Sequence, residues 1–355
     1  MSKKVIIVGG GIIGLLSAYR LAKSGFSVEI FDPAIGRGAT FAAAGMLAPG
    51  GEITSGEESQ FQIQLSSPSE WASVSREIVT DGSGLIDVHN VGTLYVGWDN
   101  SDRRLIQQHF DLATEFNADV VDVDRENHHS MFEHISPRIS DGILLGGDAW
   151  VDPDQVVDVL KDALAKLDVI VHNELVEEIL SPSTGVQLRT TAGSFSADVG
   201  LIATGSSVLP KGTLTSGENV VRPVRGMTVH FQGFDRSDQP MVRGFIRGRR
   251  IYLVSRPGGY NVVGASSDET GVAIVEAGEL QRLLRDALEL FPALETAEIV
   301  ETRIGLRPAA PNHEPFFEEL GNPNWAWSSG HYRHGITLAP RTSNQVLQFA
   351  HAVTQ

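Results

Sequence analysis

Residues 3–32 carry the pattern of a βαβ unit, which limits the chain to few folds. Lys3-Lys4-Val5-Ile6-Ile7-Val8 is a charged beginning followed by a continuous apolar run, the pattern of a strand buried on both faces of a parallel sheet. Gly9-Gly10-Gly11-Ile12-Ile13-Gly14 then satisfies G-x-G-x-x-G. Leu15, Leu16, Ala18, Leu21 and Ala22 continue at helical spacing until Gly25, and Val28-Glu29-Ile30-Phe31 forms a second strand ending at Asp32. Gly9 permits the tight turn, Gly11 lets backbone approach a pyrophosphate at the helix N-terminus, and Gly14 allows close packing of helix on strand. The set predicts a dinucleotide site. Asp32 suits a free ribose 2′-hydroxyl, which disfavours NADP and leaves NAD and FAD both open.

Composition narrows the chemistry. The 355 residues contain no cysteine, so thiol nucleophiles, zinc ribbons, disulfides and cysteine-linked cofactors are excluded, and redox chemistry requires a bound cofactor. Lys+Arg of 28 against Asp+Glu of 44 gives a formal charge of -16, which opposes nucleic-acid binding. The apolar start at Val5 is interrupted by Gly9, Gly10 and Gly11, too early and too rich in glycine for a signal-peptide core or a membrane span, so a cytoplasmic protein is expected.

The next segment, Gly36 to Leu47, is a run of small residues that would let backbone lie against a flat ring system, or would form a flexible alanine-rich loop. With the glycine-rich start and the acid, the stretch Ala42-Ala43-Ala44-Gly45-Met46-Leu47-Ala48-Pro49 resembles the D-amino-acid oxidase superfamily, and within it the glycine oxidases of thiamin biosynthesis. That resemblance implies non-covalent FAD rather than NAD. It places Ile12, Ile13, Pro33, Ala39, Thr40, Ala44, Gly45 and Met46 along the cofactor, together with Gly9, Gly11, Gly14 and Asp32.

No internal repeat and no long Pro/Ser/Gly linker divides the chain, so a second domain is expected as an insertion. Gly92–Gly97 reads as a strand and Arg103–Leu112 as a helix. Asp152 is a plausible N-cap with Pro153 at the first helical position, before Val156, Val157, Leu160, Ala163, Leu164 and Leu167 on one face. Val169-Ile170-Val171, the stretch Glu174–Ile179 and Val199–Gly205 read as strands. The last ends in Ala203-Thr204-Gly205, a small-residue turn at the carboxyl edge of the sheet. By resemblance, Val176 would touch the adenine through its backbone and Thr204 and Gly205 would line FAD. From Val221 to about Val300 the strands Met227–Phe231, Arg250–Val254 and Tyr260–Ala265 alternate with period two, and a helix follows at Leu280–Leu290. The expected fold is α/β: a Rossmann-like FAD-binding domain of the glutathione-reductase type (residues 1–85, 146–220 and 301–355) with an inserted α+β substrate domain on an antiparallel sheet (86–145 and 221–300).

Three side chains stand out as chemistry. Arg307, fixed between glycine and proline in Gly305-Leu306-Arg307-Pro308, could grip a carboxylate with two parallel hydrogen bonds or serve in a surface ion pair. The resemblance makes it the arginine that holds a substrate α-carboxylate. Tyr252 could be a packed core aromatic; the resemblance makes it a substrate contact. Near the C-terminus, Gly330-His331-Tyr332-Arg333-His334-Gly335-Ile336-Thr337 joins a strand to an apolar helix whose N-terminus would point its positive end at the flavin pyrimidine ring. His331 and His334 invite a metal reading, but no third ligand lies nearby in sequence, and the resemblance assigns the segment to FAD, with Arg333 a second carboxylate contact. Two positions depart from the family pattern: Arg250 where glycine oxidases often carry histidine, and Ser267 where a methionine would line the pocket.

The resulting expectation is oxidative deamination of a small amino acid, with hydride passing from its α-carbon to flavin N5 and giving a 2-oxo acid, ammonia or amine, and hydrogen peroxide if oxygen is the acceptor. A dehydrogenase using another electron acceptor, an oxidase of secondary amines or 2-hydroxy acids, and a flavin-binding subunit without turnover of its own stay open. Assembly into a homo-oligomer is implied by resemblance alone.

Overall fold

The computed structural model describes residues 2–56, 58–182, 184–214 and 220–355, apart from the side chain of Glu58. The expected domain boundaries at residues 1 and 220 therefore touch or adjoin positions outside the described residues.

The apolar run forms the strand Lys4–Val8, whose last four residues are buried. It is an inner strand of a six-stranded sheet with the order Phe316–Glu319, Trp325–Ser329, Val199–Ile202, Lys4–Val8, Ser27–Phe31, Ile170–His172. All its pairings are parallel except the edge pair of Phe316–Glu319 with Trp325–Ser329. Burial on both faces explains the unalternating sequence. The helices Ile12–Lys23, Ser67–Asp81, Pro153–Lys166 and Gly335–Thr354 bury their apolar sides against it through Leu15, Leu16, Trp71, Val156, Leu160 and Val346. On the other face a small sheet, Glu178–Leu180, Val186–Thr190 and Gly193–Ala197, encloses Ile6, Val8, Phe31 and Trp325. Strand structure in the expected stretch 174–179 is confined to its end, at Glu178–Leu180.

Local signals in the sequence act as the geometry requires. Gly9 has φ +112°, and a Cβ on Gly14 would lie 1.9 Å from the Gly9 carbonyl oxygen, so both positions demand glycine. Asp152 caps Pro153–Lys166 by accepting from the Asp154 amide at 3.0 Å.

A second, eight-stranded sheet has the order Glu298–Ala309, Arg222–Gln232, Tyr260–Gly264, Arg249–Arg256, Met241–Ile246, Thr93–Gly97, Asp141–Leu145, Val120–Asp124. It is not wholly antiparallel, as the alternation alone suggests: Met241–Ile246 pairs in parallel with Thr93–Gly97. The chain leaves after Thr93–Gly97, crosses the other layer, and returns in the same direction, as a parallel pair requires. Glu298–Ala309 runs in this sheet along its whole length, paired with Arg222–Gln232, so the antiparallel region extends past residue 300 to Ala309.

Period two sorts the two faces. Leu253, Val242, Val263 and Val229 bury against Leu283, Ala287 and Leu290 of the helix Ala277–Leu290. The opposite face carries Tyr252, Arg243, Gly264, Gly226 and Arg307, and part of it packs on Ala44, Ala48 and Trp150. Among the described residues no helix is long and apolar enough to cross a membrane.

Candidate active site

Between the two sheets lies a cavity of about 460 Å³, lined from Gly11 and Asp32 at one end to Tyr252, Arg243 and Arg250 at the other. At the first end the Asp32 carboxylate accepts from the amides of Gly10 and Ala34, both at 2.7 Å, which holds the glycine turn to the end of the second strand. The Ile12 amide donates to Thr40 Oγ1 at 3.0 Å, tying the small-residue loop to the helix start. Gly11, Ile12, Ile13, Asp32, Ala39 and Thr40 line the cavity, and Ala44, Gly45 and Met46 continue its wall. Thr204 and Gly205 line it from the end of Val199–Ile202; His331, Tyr332, Arg333, His334, Gly335, Ile336 and Thr337 close it from the C-terminal segment.

Five residues expected along the cofactor do not line this cavity. Gly9 and Gly14 shape the turn behind it. Pro33 is exposed, and its neighbour Ala34 lines the wall instead. Val176 is buried in the apolar layer with Ile179 and Val186, and Gly330, with φ +77°, makes the bend before His331.

The walls fit FAD on several observations. Helices Ile12–Lys23 and Gly335–Thr354 both begin at the cavity, and neither N-cap residue, Gly11 or His334, caps its helix with a side chain. Their amides and positive ends thus suit a pyrophosphate at one and an electron-rich ring edge at the other. A Cβ on Gly205 or Gly335 would meet, beyond its own chain neighbours and helix backbone, no atom of the described residues within 4 Å, so backbone there is open to a ligand. The hydroxyls of Thr204 and Ser328 are buried in the wall with no hydrogen-bond partner among the described residues, and a bound polar group would supply one.

At the other end, the Arg307 guanidinium lies on Gly226, where a Cβ would come within 2.2 Å of Nη2. Nη1 donates to the carbonyls of Ser266 at 3.2 Å and Arg225 at 3.4 Å, and no carboxylate pairs with it among the described residues. Burial pushes its pKa below the ordinary arginine value. Tyr252 stands over Gly264, with its hydroxyl 2.3 Å from where a Cβ would be, and burial raises its pKa. The two glycines therefore make room for the two side chains, which face one space.

The structure adds Arg243 and Glu52 beside them, neither expected from the sequence, and joins Arg333 to the pair. Arg243, directly across the sheet from Tyr252, is buried and ion-paired with Glu52 Oε1, while Glu52 Oε2 lies 3.2 Å from Arg333 Nη2. Burial pushes the Glu52 carboxyl up, but the guanidinium groups of Arg243 and Arg333 outweigh it and hold the pKa well below the carboxylate range. Arg333 thus already has a carboxylate partner, unlike Arg307. The loop carrying Glu52 is fastened by Asp148, which accepts from the amides of Gly50 at 2.8 Å and Gly51 at 3.0 Å; burial raises Asp148 to about 6. A charged residue inside the apolar strand Met241–Ile246 was the available signal for Arg243, but Glu52 had none.

His331 accepts or donates at Thr342 Oγ1, 3.0 Å away, and burial lowers both His331 and His334 to about 4, so both are neutral near pH 7. Among the described residues no cluster of three or more His, Asp or Glu could hold a metal.

The chain matches the family described as FAD dependent oxidoreductase (DAO) over residues 4–346. It is 28% identical to the glycine oxidase of Geobacillus kaustophilus, over 95% of this chain and 90% of that protein. The crystal structure of glycine oxidase from the same organism superposes with a TM-score of 0.89 at 26% identity, covering 99% of this chain and 95% of that one. A protein of Nostoc sp. named bifunctional protein ThiO/ThiG is 28% identical over 97% of this chain, which spans only 52% of that relative's length. The N-terminal βαβ unit, the open cavity walls and this match agree: the chain belongs to the FAD dependent oxidoreductase (DAO) family.

Proposed function

We propose that this protein oxidises a small amino acid with a free carboxylate. The observation that carries the reading is Arg307, a guanidinium braced by two backbone carbonyls, free of any carboxylate partner among the described residues, and lining the cavity beside Tyr252. When bound, FAD supplies the acceptor for the hydride from the substrate α-carbon and, on reoxidation by oxygen, yields hydrogen peroxide.

The chain's own residues do the rest. Arg307 binds the carboxylate through its free edge and fixes the orientation of the α-carbon. Tyr252 donates its hydroxyl to the same carboxylate; its raised pKa keeps the phenol protonated at neutral pH. Neutral His331 and His334 add no positive charge beside the substrate; the amine gives its proton to solvent before binding and reacts in the neutral form, so no strong base on the protein is required. The N-terminus of Gly335–Thr354 stabilises negative charge that develops at that end of the cavity. The imine product leaves to hydrolyse to a 2-oxo acid and ammonia or an amine. In this reading residues 1–85, 146–220 and 301–355 hold the cofactor and residues 86–145 and 221–300 form the inserted substrate domain, with Glu298–Ala309 serving both.

The test is Arg307→Ala. Loss of the charge-assisted hydrogen bonds should lower kcat/KM for amino acids by about a hundredfold or more while bound FAD is retained. Unchanged kinetics would remove the assignment.

A further inference from the structure

The substrate end of the cavity carries more positive charge than one α-carboxylate requires. Arg243, Arg250, Arg307 and Arg333 line it, against one lining carboxylate, that of Glu52, among the described residues. Glu52 divides its two oxygens between Arg243 and Arg333. Arg307 donates to backbone carbonyls, and the Arg250 guanidinium carbon lies 5.9 Å from the centroid of the Phe245 ring. Neither has a carboxylate partner among the described residues.

Strand geometry sets where Arg250 stands. On Arg249–Arg256, Arg250 and Tyr252 are two residues apart, so they share the cavity face with their Cα atoms about 6.8 Å apart. Arg243 is opposite Tyr252, and Phe245 is opposite Arg250, in the same register. Arg250 is exposed where the others are half-buried or buried, which puts it at the cavity mouth. A substrate held at one end by Arg307 and lying past Tyr252 would bring its far end to Arg250.

Charge decides the class. With a neutral amine, a monocarboxylate compensates Arg307, and Glu52 compensates Arg243 and Arg333 between its two oxygens; a second anionic group on the substrate would pair with Arg250, the lining arginine that neither reaches. Resting on the amino-acid reading above, we propose that the substrate is an amino dicarboxylic acid, its α-carboxylate bound by Arg307 and its second carboxylate by Arg250. The second carboxylate could sit on the side chain of the amino acid or on a substituent of its nitrogen. Both present the same chemistry to Arg250.

The experiment uses the holoenzyme. Initial rates are compared for D-aspartate, D-glutamate and iminodiacetate against D-alanine, glycine and sarcosine, which separates the side-chain and nitrogen-borne sources. In parallel, malonate and acetate, which carry no amine, are titrated by the shift they cause in the bound-flavin spectrum. At least one dicarboxylate should exceed its monocarboxylate counterpart by about tenfold or more in kcat/KM, and malonate should bind about tenfold tighter than acetate. In Arg250→Met both ratios should fall by about tenfold, and Arg250→Lys should restore part of each. Oxidation of amino acids with no preference for the dicarboxylates, or ratios that Arg250→Met leaves unaltered, would overturn the proposal and spare the amino-acid reading. Tight, Arg250-dependent malonate binding with no amine oxidised would do the reverse, supporting the dianion site and removing the reading beneath it.

Discussion

Arg243 and Glu52, 191 residues apart in sequence, form an ion pair in which both side chains are almost wholly buried. It joins the loop after the small-residue segment to the strand facing Tyr252, and it is where the two sheets' contributions to the site meet electrostatically. A pair of this kind adds little stability beyond what apolar residues would give, but breaking it strands a charge. Glu52→Gln should therefore destabilise the protein by about 3–5 kcal/mol. Urea denaturation checks this, and adding Arg243→Met to Glu52→Gln should recover part of the loss.

Asp148 should make stability depend on pH. Its carboxyl is raised by burial from 3.8 to about 6, so the folded state holds the proton more tightly than the unfolded state. The stabilisation is fully present below pH 3.8 and is lost as pH rises through about 6. The shift corresponds to roughly 3 kcal/mol. Asp148→Asn lacks this titration, so between pH 4 and pH 7 its stability should improve relative to wild type by up to that amount, as measured by denaturant unfolding at both pH values.

Gly226→Ala tests the seat of Arg307. The new methyl group would fall within 2.2 Å of the guanidinium, the movable end of a long side chain, so the protein should fold and keep FAD. The displaced guanidinium should cost about tenfold or more in kcat/KM for amino acids.

Thr204→Val tests the cofactor end. The hydroxyl has no hydrogen-bond partner among the described residues, and valine has nearly the same shape, so the apoprotein should lose no stability. If the hydroxyl bonds to FAD, the cofactor Kd should rise by about fivefold, read by fluorescence titration of the apoprotein.

Much of this was legible in the sequence because its signals are local. The run Val5–Val8, the glycines at 9, 11 and 14, Asp32, and the Asp152–Pro153 helix start each act within one turn or strand, and each stands where the spacing predicts. Arg307 and Tyr252 were legible through a resemblance that also supplied their roles. The parallel pairing of Thr93–Gly97 with Met241–Ile246 was not, because the partners are separated by the whole cofactor layer and alternation carries no direction. The Glu52–Arg243–Arg333 group was hidden for the same reason: its three members come from a loop, a strand and the C-terminal turn, and an acid in a glycine-rich loop looks like any solvated residue until the fold buries it.

We propose that bound FAD accepts electrons from an amino acid oriented by Arg307. Anaerobic titration of the holoenzyme, wild type and Arg307→Ala, with glycine, sarcosine and acidic and neutral D-amino acids, following the flavin absorbance and then admitting air, reads that transfer. Wild type should bleach rapidly with at least one of these compounds and recover in air, and bleaching should be slowed by about a hundredfold or more in Arg307→Ala. Flavin that none of them bleaches, or that bleaches equally fast in both proteins, would contradict it.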